Sequence, residues 1–148
     1  MPIAYQEVND GLLMKIAARY GEVAKNHLHR EEGSLSLAAL DGDLPVGFLS
    51  VYTRSLPTPL DYEKDAYIDI IEVDRESRRR GIARELIRRG EEWAKGNKFP
   101  QIRAWSSEDK IEAIPMWYAL GYCMCPATIW LERIKESVSG YYVAKRLQ

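Results

Sequence analysis

The chain predicts a mixed α/β sheet covered by helices, and three observations carry that expectation. Short runs of strand-like alternation recur, and segments of helical period stand between them. The stretch from Ile70 to Ala83, IIEVDRESRRRGIA, joins a strand to an amphipathic helix through three arginines and a glycine. No repeat, low-complexity tract or linker interrupts the 148 residues, so 1–148 are expected to form one domain.

The elements follow in order. Ile3 to Val8 alternates as a first strand, and Asn9-Asp10 can cap a helix whose apolar face uses Leu12, Leu13, Ile16 and Ala17. Gly21 separates a second short helix, Glu22 to Arg30. Strands at Leu35 to Leu40 and Val46 to Tyr52 are joined across Asp41-Gly42-Asp43, a hairpin signal, and Gly47 suggests a bulge. Pro57 and Pro59 make Ser55 to Glu63 an exposed loop. Ala66 to Val73 is strand-like. Ile82 to Lys95 is helical, with Ile82, Leu86, Ile87, Trp93 and Ala94 on one stripe and the pairs Glu85–Arg89, Arg88–Glu92 and Glu91–Lys95 on the charged face. A strand at Gln101 to Trp105 and a helix from Glu108 to Leu120, kinked by or beginning near Pro115, precede strands at Tyr122 to Leu131 and Tyr141 to Arg146.

Composition narrows the function. A hydrophobic content of 46% supports a real core. With 21 basic and 22 acidic side chains the net charge is -1, so no global field favours nucleic acid or an acidic membrane as partner. Cys123 and Cys125, one residue apart, are poorly spaced for a structural disulfide, and no zinc-finger spacing accompanies them. The N-terminal MPIAYQEVND lacks the apolar core of a signal peptide, and no run is long enough for a membrane helix. A cytoplasmic protein with reduced thiols is expected.

The arginine-rich junction has the outline of a phosphate cradle. A helix start leaves about four backbone N–H groups unpaired and carries a partial positive charge, so an anion can settle there. Gly81 permits close approach to the backbone, and Arg78, Arg79 and Arg80 add donors shaped for phosphate oxygens. An RNA-binding reading is weaker, because acids match the basic cluster and no aromatic residues interleave it.

Here the sequence resembles a known family. Arg78-x-x-Gly81-x-Ala83, preceded by Ile71-x-Val73, is similar to the acyl-CoA-binding signature of the GCN5-related N-acetyltransferases (GNAT family). Trp117-Tyr118-Ala119-Leu120-Gly121-Tyr122 resembles the family's later aromatic and Leu-Gly-aromatic segment, and Tyr141 to Leu147 resembles its last strand. The resemblance implies the GNAT fold, a mostly antiparallel sheet of six to seven strands flanked by about four helices. It implies acetyl-CoA as co-substrate, with pyrophosphate on the backbone of Arg78, Arg79, Arg80, Gly81, Ile82 and Ala83 and pantetheine along Ile71, Glu72 and Val73. The implied reaction is N-acetyl transfer to a primary amine by direct attack, without a metal. A homodimer through the last strands is one assembly it suggests, and a non-catalytic acyl-CoA-binding module is the alternative function.

The family's usual acid and base positions carry other residues here. Its general-base glutamates fall on Tyr67 and Trp105, its thiolate-protonating tyrosine on Trp117, with Tyr118 one residue later, and a common asparagine on Lys110. Asp69 is the expected substitute base. Under regular alternation it shares a face with Tyr67, Ile71 and Val73, opposite Glu72, although a bulge would exchange those roles. Tyr118 is the expected acid if Pro115 turns it inward. His27 and His29 are assigned to solvated surface, and Cys123 and Cys125 to core or pocket lining. The acidic loop with Asp61, Glu63 and Asp65 is a candidate attractor for a cationic acceptor.

Overall fold

A computed structural model describes residues 2–148. Seven strands form one sheet in the order β1-β2-β3-β4-β5-β7-β6. The strands are β1 (Ala4–Glu7), β2 (Ser34–Asp41), β3 (Leu44–Ser55), β4 (Lys64–Val73), β5 (Gln101–Ser107), β6 (Cys123–Leu131) and β7 (Glu136–Arg146). The helices are α1 (Asp10–Tyr20), α2 (Glu22–Asn26), α3 (Ile82–Gly96) and α4 (Ala113–Ala119), with a 3-10 turn at Arg75–Ser77. Every neighbouring pair is antiparallel except β4 and β5.

Local chemistry accounts for most boundaries. The Asn9 side chain accepts from the Leu12 N–H at 2.9 Å and starts α1, which buries Leu12 and Ile16. α2 is shorter than its expected Glu22 to Arg30, so His27 to Gly33 form a connector instead of a helical face. α4 is also shorter than Glu108 to Leu120. It begins at Ala113, which places Pro115 in the first turn, where a missing N–H costs nothing.

Two apolar clusters sandwich the sheet. On one face Ile82, Leu86, Ile87 and Ala94 of α3 pack on Leu35, Leu37, Leu49, Val51 and Ile68, and Trp117 of α4 joins the same cluster. On the other, Leu12, Ile16, Ala24 and Leu28 cover Ala38, Leu40 and Phe48. Glu91 departs from its expected surface pairing with Lys95: it is buried and accepts from Tyr122 Oη at 2.8 Å and Lys145 Nζ at 3.0 Å. The buried Tyr122 phenol is consequently held strongly neutral, by desolvation first and by Glu91 second. Cys123 and Cys125 are exposed on β6, not core or pocket lining, because they alternate with Met124, which takes the side packed against the α3 cluster.

Two irregularities shape the centre. β3 pairs Val51 with Ile68 and Ser50 with Ile70, so Asp69 is a surplus residue in β4. β4 and β5 pair only at Ala66 to Ile68 against Ile102 to Ala104. Beyond that point β4 continues on β3 as far as Val73 and Gly47, while β5 continues on β7 as far as Ser107 and Gly140. The sheet therefore parts down its middle.

Candidate active site

The parting supplies the first element of a site. From Asp69 to Val73, the edge of β4 that would face β5 has no strand partner, which leaves extended backbone available to a ligand. Ile71 and Val73 lean toward the α3 cluster, whereas Glu72 is exposed on the opposite face. Regular alternation does not hold across this strand. Asp69 keeps the side of Tyr67, as alternation predicts, but the bulge brings Glu72 to that side and turns Ile71 and Val73 to the other.

At the end of β4 the chain turns through Arg75–Ser77 into α3. Asp74 anchors this turn: its N–H donates to Val46 O at 2.8 Å, and its carboxylate accepts from Arg19 and the Tyr20 phenol. Arg79 has φ 66° and Gly81 φ 75°, left-handed values that curl the backbone ahead of the helix. No side chain caps α3, and the first N–H returned to the turn is that of Glu85, donated to Gly81 O at 3.0 Å. The N–H groups of Ile82, Ala83 and Arg84 are thus an open first turn. A Cβ built on Gly81 meets nothing within 4 Å, so the approach is clear. Two of the three arginine side chains are engaged elsewhere: Arg78 pairs with Glu112 and donates from Nε to Val73 O at 3.3 Å, and Arg80 pairs with Asp41 at 3.1 Å. The open backbone N–H groups, and not the Arg78 and Arg80 guanidinium groups, remain available to the cradle.

At the other end of the opening stands Asp69, one residue past the last β4–β5 pair. Its Oδ2 lies 2.7 Å from His29 Nε2, and since a carboxylate only accepts, His29 donates. The ring stacks on Tyr52 with centroids 4.0 Å apart and planes 13° apart. Tyr52 meets Tyr67 edge-on at 5.9 Å. Arg54 and Arg103 bracket the Tyr67 ring at 4.4 and 5.6 Å, and Arg103 is tied to fully buried Asp65. Burial raises both phenol pKa values, the lowering effect of Arg54 being smaller, so Tyr52 and Tyr67 are neutral donors in this floor. Asp65 thus belongs to the core, not to an acidic loop, because Gln101 and Arg103 donate to it.

His29 is the functional candidate that sequence reasoning missed. Its partner lies 40 positions away and no local spacing connects them; the one available signal was an acid within an apolar strand, which needs a donor. On α4, Trp117 is buried with its Nε1 unpartnered, whereas Tyr118 is 66% exposed. The inward rotation that its expected role required has not occurred. Among the described residues no group of three or more His, Cys, Asp or Glu side chains could hold a metal ion, and no helix is long and apolar enough to cross a membrane.

A family model for the acetyltransferase (GNAT) family matches residues 6–122. No curated protein matches the chain. Among solved structures, NAA60 of Arabidopsis thaliana in complex with a bisubstrate analogue superposes with a TM-score of 0.80 at 14% identity, covering 98% of each chain. The ribosomal-protein-S18-alanine N-acetyltransferase of Escherichia coli gives 0.74 at 12% identity, covering 99% of this chain and 95% of that one. A putative streptothricin acetyltransferase from Bacillus anthracis, in complex with acetyl coenzyme A, gives 0.72 at 14% identity, covering 98% and 99%. At such identities these likenesses establish a shared fold.

Proposed function

The chain belongs to the acetyltransferase (GNAT) family and is an acyltransferase, and on that premise we propose how it moves an acetyl group from acetyl-CoA to a primary amine. The carrying observation is the division of the sheet, with an unpaired strand edge, an open helix start at one end and a carboxylate at the other. Acetyl-CoA lies in that division. Its pantetheine amides pair with the backbone of Ile71, Glu72 and Val73, and its pyrophosphate rests on the N–H groups of the turn and helix start up to Ala83, except that of Arg78, which is spent on Arg75 O at 3.3 Å. Neither contact needs a metal.

The acceptor approaches from the face carrying Tyr52, Tyr67 and Asp69. Asp69 takes a proton from the incoming ammonium, the freed amine attacks the acetyl carbon, and a backbone N–H of β4 stabilises the oxyanion. The new C–N bond forms as the C–S bond breaks, and the surplus amine proton passes to the departing CoA thiolate, directly or through water. Residues 1–148 act as one catalytic unit. A cytoplasmic setting accompanies this reading, supported by the exposed unpaired thiols of Cys123 and Cys125, and so does a homodimer through the exposed edge strand β6.

The test is thiol release from acetyl-CoA across amino acids, polyamines, aminoglycosides and peptides. The wild type is expected to turn over with one of these classes, and Asp69→Asn is expected to lower kcat by about 100-fold or more, the ordinary worth of a general base, with the KM for acetyl-CoA unchanged. Tight acetyl-CoA binding with no turnover would favour the non-catalytic module, a reading supported by Tyr67, Trp105 and Trp117 at the family's acid and base positions.

A further inference from the structure

Resting on the acetyl-transfer reading, we infer that His29 is a positioning residue, which holds the Asp69 carboxylate toward the acceptor. The connector between α2 and β2 does not need this side chain for its own placement. Its backbone is already clamped: the His29 N–H donates to Ser50 Oγ at 2.8 Å, Ser36 Oγ donates to His29 O at 2.6 Å, and the two hydroxyls bond each other at 2.8 Å. The imidazole is therefore spent on something else. Nε2 donates to Asp69 Oδ2, and Nδ1 stands 3.2 Å from Glu31 Oε1 at the exposed rim.

The surroundings make this pairing directional. Stacking on Tyr52 fixes the ring plane, so Nε2 has one direction available to it. Asp69, as the surplus residue of a bulge, has no equivalent constraint from the ladder. Donation to Oδ2 leaves Oδ1 for the acceptor, and the His29 and Asp69 side chains are 22% and 23% exposed, open enough to be reached yet partly desolvated. The titratable groups in contact with the ring are Glu31 on its own segment, Tyr52 on β3 and Asp69 on β4; Glu7 on β1 and Arg30 share a surface pocket with His29, and Arg54 and Arg103 stand beyond, against Tyr67. In the reaction the proton taken from the acceptor resides on Oδ1. That proton leaves from Oδ1 to solvent, while Nε2 keeps its own hydrogen throughout, so His29 orients the carboxylate and relays nothing.

Three variants separate this role from a structural tether. His29→Phe keeps the stack on Tyr52 and the backbone clamp but removes the Nε2 donor, and His29→Gln restores an N–H in reach of Asp69. His29→Phe is expected to lower kcat about 10- to 100-fold with the KM for acetyl-CoA and the thermal midpoint unchanged, as loss of an orienting partner ordinarily does, and His29→Gln is expected to recover most of it. The chain has only two histidines, so their 15N imidazole signals are separable. Asp69→Asn is expected to shift the His29 Nε2 signal and leave that of His27, whose Nδ1 lies by Val23 O, in place. An imidazole signal indifferent to Asp69→Asn overturns the pairing, and full kcat in His29→Phe overturns the role. Wild-type protein that releases no thiol with any amine would instead sink acetyl transfer, while the imidazole signal still reports whether the pair exists.

Discussion

β4 gains one surplus residue at Asp69. Alternation from Ile68 already puts Asp69 on the α1 face, where it meets His29; the bulge turns Ile70 to that face as well, where strict alternation would have put it on the α3 face. A second close fit lies at Gly140, where β7 opposes Ser107 of β5. A Cβ there would lie 2.3 Å from Ser106 O and 2.8 Å from Trp105 Cζ2, and backbone cannot swing aside as a flexible side chain can. Gly140→Ala is therefore expected to destabilise the protein by about 3 kcal/mol, the upper end of ordinary overpacking. Urea unfolding reads it as a lower midpoint at constant slope, and a midpoint equal to wild type would remove the account. The sequence showed Asp69 and the glycine of the phosphate turn directly. It gave no sign of Gly140's contact, since the clash is with a strand far away in the chain.

Among the elements, α3 carries both the core and the turn that precedes it. Its buried stripe was legible from helical spacing, and so was its charged face, with two exceptions: Glu91 turns inward because Tyr122 and Lys145, on later segments, supply donors, and Arg88 pairs with Glu85 instead of Glu92. On the outer face Glu85 accepts from both Arg88 and Arg89 at 2.8 to 2.9 Å. Those donors, Arg88 foremost, lower its carboxyl from 4.5 to about 2. A carboxyl lowered on folding contributes stability that is complete above its unfolded value and lost as pH falls through the folded one. The contribution is thus present above about pH 4.5 and disappears toward pH 2. As a solvent-exposed helix pairing it is worth only about 0.3–0.5 kcal/mol for each pair. Glu85→Gln is expected to lower the thermal midpoint slightly at pH 7 and to have no such effect near pH 2; a deficit that persists at pH 2 would contradict the assignment.

For the whole molecule, the parted sheet makes stability and ligand binding one quantity. The free protein leaves the β4 edge from Asp69 to Val73 and the first turn of α3 open, and the Arg78–Glu112 pair ties the turn to the start of α4 across the division. A ligand that completes those groups binds the folded state alone. Acetyl-CoA at about 100 times its Kd is expected to add about 2.7 kcal/mol, or roughly 5–10 °C in the thermal midpoint for a chain of this size. CoA, which shares the pyrophosphate and pantetheine, should reproduce most of this rise. Differential scanning fluorimetry with acetyl-CoA, CoA and adenosine measures it, and an equal response to adenosine would show that the turn and strand edge are not engaged.

By itself the sequence determined the order of elements, the phosphate turn and the family, because each rests on local spacing: alternation for strands, a 3.6-residue period for helices, and Gly81 after the arginines. Tertiary structure alone decided where β4 and β5 part, which way Ile71 and Glu72 point, that Trp117 turns inward while Tyr118 stays out, and that His29 meets Asp69. These outcomes depend on register and on contacts between segments far apart in the chain. The physical reason is that a strand's second edge and a side chain's distant donor are properties of its neighbours, and no spacing within one segment specifies which neighbour arrives.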